Sequence, residues 1–485
     1  MTGTSLKSNL AFQSNKELCF GRVVFLLPPT GGYCREDRCQ SYFHVDLIPT
    51  ARPPLEECEA AGAIGALGGT SLVIDAPVEQ LSEGDVLSRI REFSPDLIVV
   101  STTFGTLSAD KRWVSLLLES FPGVPVALRG APCYVFPEEI LESFSKEENV
   151  FCLRGEYESV FAALAQEGVQ RAPGVVWRRD KSVVSNPSPP PVSNLDEFPF
   201  PDRSSLNQSR YRVKGLRAPQ ATIHVQRGCP FPCTYCLVHT VSGAKARHRS
   251  PEHIVKEIRS LMEEGVRYFY LRAETFSLNK RWAIQLSNLL ATECPGARWV
   301  TATRVECVDD EVVAAMKSGG CYGISFGVDV ASEEIGRYVR KPPRRKEAME
   351  AMRLCDRHGI ISLAYIMIGF LWETEQSLEE SSTFIREIRP DLVTVHFTHP
   401  YPGTVYYEEF VKQAIPLLSQ RAQAMPAHEC SSISIARLGA HAEKIRREHY
   451  RRPSVLFSLA KKFGRHGLRH ISDLVPCTVP REQYG

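Results

Sequence analysis

Two blocks of short, Val- and Ile-rich runs, each alternating with helical patterns, constrain this chain more than any other feature. In the first block the runs are VVFLLPP (23–29), SLVIDA (71–76), DLIVVSTT (96–103), VPVALRG (124–130) and VFCLRGE (150–156). Helical patterns over 55–67, 84–93, 111–121 and 137–145 separate them. Apolar runs this short, spaced by helices, predict an α/β domain with a doubly wound parallel sheet, because such strands are covered on both faces. Ligands on these sheets bind beyond the carboxyl ends of the strands. Those ends are Ser101-Thr102-Thr103, Gly130-Ala131-Pro132 and Gly155-Glu156, all small or polar.

From 171 to about 220 the periodicity fails, and proline clusters (NPSPPPV, FPFPD) replace it, so this stretch reads as a connector and not a core. The βα rhythm then resumes over 221–227, 267–273, 299–304, 323–329, 362–370 and 392–397. Six parallel strands with intervening helices predict an open or partial (β/α)6, TIM-like barrel with its site at the strand C-termini. One helix shows the local signals: Ser250 is a good N-cap, Pro251 suits the first helical position, Ile254, Ile258, Leu261 and Met262 share a face, and Gly265 stops it. The expected organisation is an N-terminal extension (1–20), a first domain (21–170), a Pro-rich linker (171–215), the barrel (216–410) and a mainly helical, basic C-terminal segment (411–485).

Bulk properties narrow the class. A net charge of +2 gives no reason to expect nucleic acid. The first twenty residues lack a basic start followed by an apolar core, and the longest apolar stretch, Ile360 to Trp372, is too short to cross a bilayer. A cytoplasmic protein without a membrane span is expected. The tail from His441 to His470 carries nine Lys or Arg against two Asp or Glu. It reads either as a solvated basic helix or as a contact for an anionic substrate or partner.

Fifteen cysteines at irregular spacing make a poor disulfide framework. Only one group has ligand spacing: GCPFPCTYC places Cys229, Cys233 and Cys236 directly after a strand, in a Gly/Pro-constrained loop. A C-x3-C-x2-C loop can present three thiolates to one [4Fe-4S] cubane, whose fourth iron then lacks a protein ligand. An iron with open coordination can bind the amino and carboxylate groups of a small molecule and pass it an electron. The alternatives are idle thiols or a zinc site completed by His224 or His239, although structural zinc prefers four closed ligands in paired spacing.

The pattern C-x3-C-x-aromatic-C, with Tyr235 in the aromatic position, after the first strand of a six-strand βα barrel, resembles the radical S-adenosylmethionine (SAM) superfamily. The resemblance implies that Cys229, Cys233 and Cys236 bind the cluster, which cleaves SAM to a 5′-deoxyadenosyl radical. It also implies SAM contacts from Tyr235, from Glu274 at the end of the second strand, from Arg304 at the end of the third, from Asp329 in Gly327-Val328-Asp329-Val330-Ala331-Ser332, and from Gly369 in Ile368-Gly369-Phe370. The sequence departs from the family pattern at Ala273, where relatives carry a first acid, at Asp329 in place of Glu, and at Leu371-Trp372, where a proline is usual. The run from His399 to Thr404 also fits this branch.

The first domain lacks the G-x-G-x-x-G fingerprint of dinucleotide binding. Its place before such a barrel, with Pro28-Pro29 and Arg52-Pro53-Pro54-Leu55, resembles cobalamin-binding relatives and implies a Rossmann-like cobalamin domain. No Asp-x-His-x-x-Gly occurs, so a histidine under the cobalt is not implied. A corrinoid needs a flat face and partners for its amide arms, which Ser101, Thr102, Thr103, Gly130, Ala131, Gly155 and Glu156 would supply; the competing reading is that these residues merely end strands.

Taken whole, the resemblance is to cobalamin-dependent radical SAM methyltransferases. It implies methyl transfer from SAM through methylcobalamin to an unactivated carbon, with phosphorus the lesser alternative, and an electron donor such as flavodoxin or ferredoxin. The competing enzyme is a cobalamin radical cyclase or ring-rearranging enzyme without methyl transfer, and the competing non-enzyme is an iron-sulfur or cobalamin sensor. His399 and Tyr401 are the substrate-pocket candidates, with His396 and Tyr406 nearby; burial in a core is the ordinary fate of such residues. The small-molecule substrate is not legible.

Overall fold

A computed structural model describes residues 17–30, 33–36, 39–42, 52–212, 218–414 and 431–468. Residues 1–16 of the expected extension, Gly31-Gly32, 213–215 of the expected linker, and 415–430 and 469–485 of the C-terminal segment lie outside the described residues. The chain divides into two compact units. The first is Met1–Thr30, Pro54–Thr102 and Ser108–Leu206, and the second is Gly31–Pro53, Thr103–Leu107 and Asn207–Gly485.

The first unit is built on strands β1 (Arg22–Leu27), β2 (Thr70–Asp75), β3 (Leu97–Ser101), β4 (Val126–Arg129), β5 (Val150–Leu153), β6 (Val175–Arg179) and β7 (Ser182–Ser185). The sheet order is β2-β1-β3-β4-β5-β6-β7, parallel as far as β5 and antiparallel from there to β7. An order beginning 2-1-3 reverses direction between β1 and β3, the switch point where doubly wound sheets bind ligands. Val23–Leu26 and Leu97–Val100 are buried to within 1 % of complete, which is why they read as unbroken apolar runs.

The expected linker needs correcting. Its first part is the hairpin β6–β7, whose Val175 and Val176 are fully buried, and Val192, Leu195 and Phe198 form a small apolar cluster of their own. Farther on, the Asp202 amide donates to the Cys58 carbonyl (2.9 Å), so the chain is laid along helix α1 (Leu55–Ala66). Proline removes donors and helical periodicity without preventing an extended segment from packing, and the first unit extends to Leu206.

The second unit holds strands β8 (Gln220–His224), β9 (Tyr268–Arg272), β10 (Arg298–Thr303), β11 (Cys321–Asp329), β12 (Ile361–Ile368) and β13 (Leu392–Phe397). They pair in chain order, all parallel, as the open six-strand arrangement that the sequence predicts. On helix α2 (Pro251–Glu263) the Ser250 side chain accepts from the His253 amide (3.1 Å), and Ile254, Ile258 and Leu261 are buried.

Among the described residues the basic tail packs one face against the barrel, while Arg447, Arg451 and Lys461 stay exposed. Helix α3 (Ile435–Tyr450) buries Leu438, Ala442, Ile445, His449 and Tyr450, and the Tyr450 hydroxyl accepts from the Val393 amide of edge strand β13 (3.1 Å). Other cations of α3 meet acids of the same unit: Arg437 pairs with Glu375, and Lys444 with Glu379. On the next helix, α4 (Pro453–Leu468), Lys462 pairs with Asp356 and Asp391, both at 2.6 Å. Among the described residues no helix is long and apolar enough to cross a membrane.

Candidate functional site

The loop after β8 is set by backbone geometry. Gly228 has φ +82°, and a Cβ there would stand 2.3 Å from the Lys245 carbonyl oxygen, so only glycine permits the turn that delivers Cys229. The Cys229 amide donates to the Gly243 carbonyl (3.2 Å), and the Cys229 carbonyl meets the His239 ring (2.8 Å). Cys229, Cys233 and Cys236 are all half-buried free thiols. Burial, reinforced by the neighbouring thiols, pushes Cys236 up to about 12; burial also raises Cys229. Such thiols are protonated until a metal displaces the proton. Among the described residues no three His, Cys, Asp or Glu groups converge on one point as a single ion requires. A cubane instead takes each thiolate on a different iron.

The other barrel residues singled out by the resemblance gather around this loop. Tyr235 donates to Asp329 Oδ2 (2.9 Å), and Lys341 Nζ lies 2.6 Å from the same oxygen. Asp329 sits just past an irregularity in the β11–β12 register with φ +48°, a left-handed conformation that Asp tolerates better than most residues. Burial first, and the Asp329 charge second, hold the Tyr235 hydroxyl well above its ordinary value. The Tyr235 ring meets Phe370 edge-on (6.0 Å), beside Gly369, whose amide donates to the buried Glu373 (2.8 Å). Burial raises the Glu373 carboxyl, which also accepts from Ser377.

Arg304 reaches the cysteine loop itself. Its guanidinium lies 3.9 Å from the centre of the Phe231 ring, donates to Cys233 Sγ (3.4 Å) and pairs with Glu306 (2.6 Å). Burial works against the Arg304 charge, but Glu306 and Cys233 outweigh it and raise its pKa. Thr275 stands 3.9 Å from Cys229 Sγ, and the neighbouring Glu274 raises the pKa values of Cys229 and Cys236. Farther along, Tyr401 stacks on Phe104 (5.6 Å), a residue of the 103–107 segment of the second unit, and lies 6.0 Å from the His399 ring. His396 packs on Tyr365 (5.2 Å), while Tyr406 is fully buried with its hydroxyl accepting from the Leu371 amide (2.8 Å).

In the first unit the strand-end residues divide. Ser101 donates to Glu57, which pairs with Arg129 (3.0 Å), whose guanidinium lies 3.7 Å from the centre of the Tyr157 ring. The Glu156 carboxylate accepts from the Val192 amide (2.8 Å), and the Gly155 carbonyl from the Tyr134 hydroxyl (2.8 Å). In the 103–107 segment, which belongs to the second unit, the Thr103 hydroxyl is hydrogen-bonded to Thr106 (2.9 Å). Thr102 differs: it is 2 % exposed, and its hydroxyl has no partner among the described residues. Beside it Gly130 has φ +128°, and a Cβ there would lie 2.0 Å from the Thr102 carbonyl oxygen. Ala131 is fully buried at the start of the following helical turn.

Residues 223–385 match the model of the Radical SAM superfamily, a span that includes the whole cysteine loop, Arg304, Asp329 and Gly369. The chain carries a radical SAM domain. Over 394 residues the chain is 26% identical to an uncharacterized methyltransferase of Pyrococcus horikoshii, covering 80% of this chain and 82% of that one. It is also 26% identical to the anaerobic magnesium-protoporphyrin IX monomethyl ester cyclase of Cereibacter sphaeroides, covering 74% of this chain and 61% of the cyclase. The fold matches that of TsrM from Kitasatospora setae, a radical S-adenosylmethionine methyltransferase solved with cobalamin and a [4Fe-4S] cluster, with a TM-score of 0.63 at 17% identity over 81% of this chain and 75% of TsrM.

Sequence reading passed over several residues that the radical SAM domain places in this site. Lys341, Glu306 and Glu373 were not singled out. A cation, and an acid a few residues past a strand-end glycine, are signals that exist in the sequence but recur too often to be selective.

Proposed function

We propose that the protein is a cobalamin-dependent radical SAM methyltransferase that places a methyl group on an unactivated carbon, with phosphorus the lesser alternative, of a small biosynthetic molecule. The observation that carries the reading is the three-thiol loop, with Arg304 on Cys233 and the Tyr235–Asp329–Lys341 chain beside it, in a chain that also contains a doubly wound unit. Cys229, Cys233 and Cys236 would hold a [4Fe-4S] cluster, with one iron left for SAM. The donor set fits, because soft thiolates select such clusters. For the corrinoid the first unit offers Thr102, a buried hydroxyl that a ligand's amide would satisfy, beside the side-chain-free approach at Gly130. Ser101 and Glu156 fit that role less well, because their polar atoms bind within the protein. When bound, the cluster supplies the electron that cleaves SAM and the corrinoid carries the methyl group.

The chain's own residues hold and orient. Asp329, fixed by Lys341 and Tyr235 before any ligand arrives, presents a set carboxylate at the end of β11. Arg304 holds positive charge against the Cys233 sulfur and steadies its position. Glu373 fixes the turn at Gly369 through its amide, and Tyr406 fixes the next turn at Leu371. The free thiols suit a reducing compartment such as the cytoplasm.

The likeness to the cyclase supports a second reading, radical ring formation without methyl transfer. Anaerobically reconstituted protein given SAM and reductant separates the two: S-adenosylhomocysteine together with 5′-deoxyadenosine is the expected outcome, and 5′-deoxyadenosine alone indicates the cyclase class. Protein that takes up iron and sulfide yet never cleaves SAM ends both.

A further inference from the structure

Helix α4 is fastened to the barrel by one face only. Val455 and Leu459 are buried, the Ser458 hydroxyl donates to Asp391 Oδ1 (2.5 Å), and Lys462 reaches Asp356 and Asp391. These four positions fall on one stripe of the helix. The opposite stripe carries Leu456, 38 % exposed, Phe457, 72 % exposed, and Lys461, which stands one turn on from Phe457. No other large apolar side chain among the described residues is as exposed as Phe457.

Cations flank this apolar pair. Arg447, Arg451 and Lys461 are exposed on the tail helices and their junction, and Arg386 and Arg389 are exposed at the end of the helix Glu375–Ile388. Arg452 joins the groups: its guanidinium donates to the Arg386 carbonyl (3.2 Å), and its carbonyl accepts from the Leu456 amide (3.3 Å). Burial first, and then the charges of Arg389 and Arg386, hold Arg452 below its ordinary value, so these cations stand close enough to repel. None of the six makes an ion pair among the described residues. The acids beside them are engaged, Glu387 by Arg345, Glu443 by Arg446 and Asp356 by Lys462, which leaves the half-buried Glu448 to answer them.

We propose that this face docks the protein on an anionic lipid bilayer, with Leu456 and Phe457 entering the headgroup boundary and the six cations meeting lipid phosphates. Apolar side chains flanked by cations on a surface helix suit that boundary, and each Lys or Arg close to an anionic leaflet adds attraction that salt screens. A nucleic acid could stack a base on Phe457 but gives Leu456 nothing to bind. Arg389 stands just before β13 and all six barrel strands run parallel, whereas Cys229 follows the carboxyl end of β8. Docking at this edge therefore leaves the cysteine loop at the end of the barrel turned away from the bilayer. The proposal goes beyond the methyl-transfer reading and needs neither cluster nor corrinoid.

The test sediments the full, unreconstituted chain with vesicles of phosphatidylcholine alone or of equal parts phosphatidylcholine and phosphatidylglycerol, beside the variants Phe457→Ser and Arg451→Glu/Lys461→Glu. The wild type is expected on the anionic vesicles and not on the neutral ones, and it should leave them as salt rises. Each variant should bind about tenfold more weakly, with thermal melting unchanged because all three side chains are exposed. Absence from anionic vesicles at low salt overturns the proposal, as does binding that both variants retain in full. Binding lost in Arg451→Glu/Lys461→Glu but untouched by Phe457→Ser, with single-stranded RNA displacing the vesicles, assigns the patch to nucleic acid and overturns it too.

Discussion

At the carboxyl ends of β3 and β4 the protein answers its own charges. Glu57, Arg129 and Ser101 form a network that is at most 2 % exposed, with Tyr157 against the guanidinium, and Thr102 is the one hydroxyl left over among these neighbours. At the ends of β8 to β11 the reverse holds, because three thiols stay only half covered beside a guanidinium and a phenol–carboxylate–ammonium chain. The first edge is finished by folding and offers shape; the second is left chemically open. One chain can thus hold one cofactor mainly by surface and another by bonds, and different substitutions should damage the two.

The largest effect falls on the open edge. Cys233→Ala should abolish the reconstituted cluster's absorbance and all SAM cleavage while leaving the melting temperature of the apo chain within a degree or two, since a half-buried thiol contributes little packing. A variant that keeps its cluster and activity would erase the contrast. On the finished edge, Arg129→Met strands the Glu57 charge in the interior and should cost about 3–5 kcal/mol in denaturant unfolding. Unchanged stability there would show that the network does not hold the first unit together.

A third measurement uses pH to probe how the barrel is closed. Burial holds His449 at about 4, below its ordinary 6.5, so the unfolded chain takes up the proton first as pH falls. The contribution is complete above about pH 6.5 and is lost between there and pH 4, a loss of about 3 kcal/mol. Thermal melting across that window should show the drop, and His449→Gln should flatten it. The smallest effect is the most specific: Thr102→Val removes a hydroxyl without a partner, so folding stability should stay within about 1 kcal/mol while corrinoid affinity weakens by about tenfold at most. Equal affinity by spectral titration would remove Thr102 from the corrinoid's contacts.

The strands were legible because the first sheet's Val- and Ile-rich runs are buried on both faces and most of the barrel's strands alternate buried with half-buried positions, and the expected and observed runs coincide to within a few residues in both sheets. The hairpin over 175–185 escaped because its strands are short and its turn, Asp180-Lys181, is charged; what holds it is pairing with β5, a tertiary fact. The cysteine loop stood out by its spacing, and the family resemblance gave it a role. Arg304 and Asp329 were singled out as well, but their partners were not legible, since Arg304 meets Cys233 across 71 positions and Lys341 meets Asp329 only through a bulged strand. Glu57 shows the same limit: a glutamate on a helix reads as solvent-facing until the arginine that buries it, 72 residues on, is in place.

The pairing of β8 through β13 in chain order has a consequence for how the molecule is made. Each strand emerging from the ribosome finds its neighbour already present, so the barrel can grow by addition at one edge, whereas β1 must wait for both β2 and β3. The growing edge stops at β13, whose Val393 amide meets its cap, Tyr450, only after α3 has been synthesised. Until then nascent chains on crowded polysomes would share an adhesive strand, and the basic helix that follows acts as its release liner in reverse, covering the adhesive once the sheet is complete.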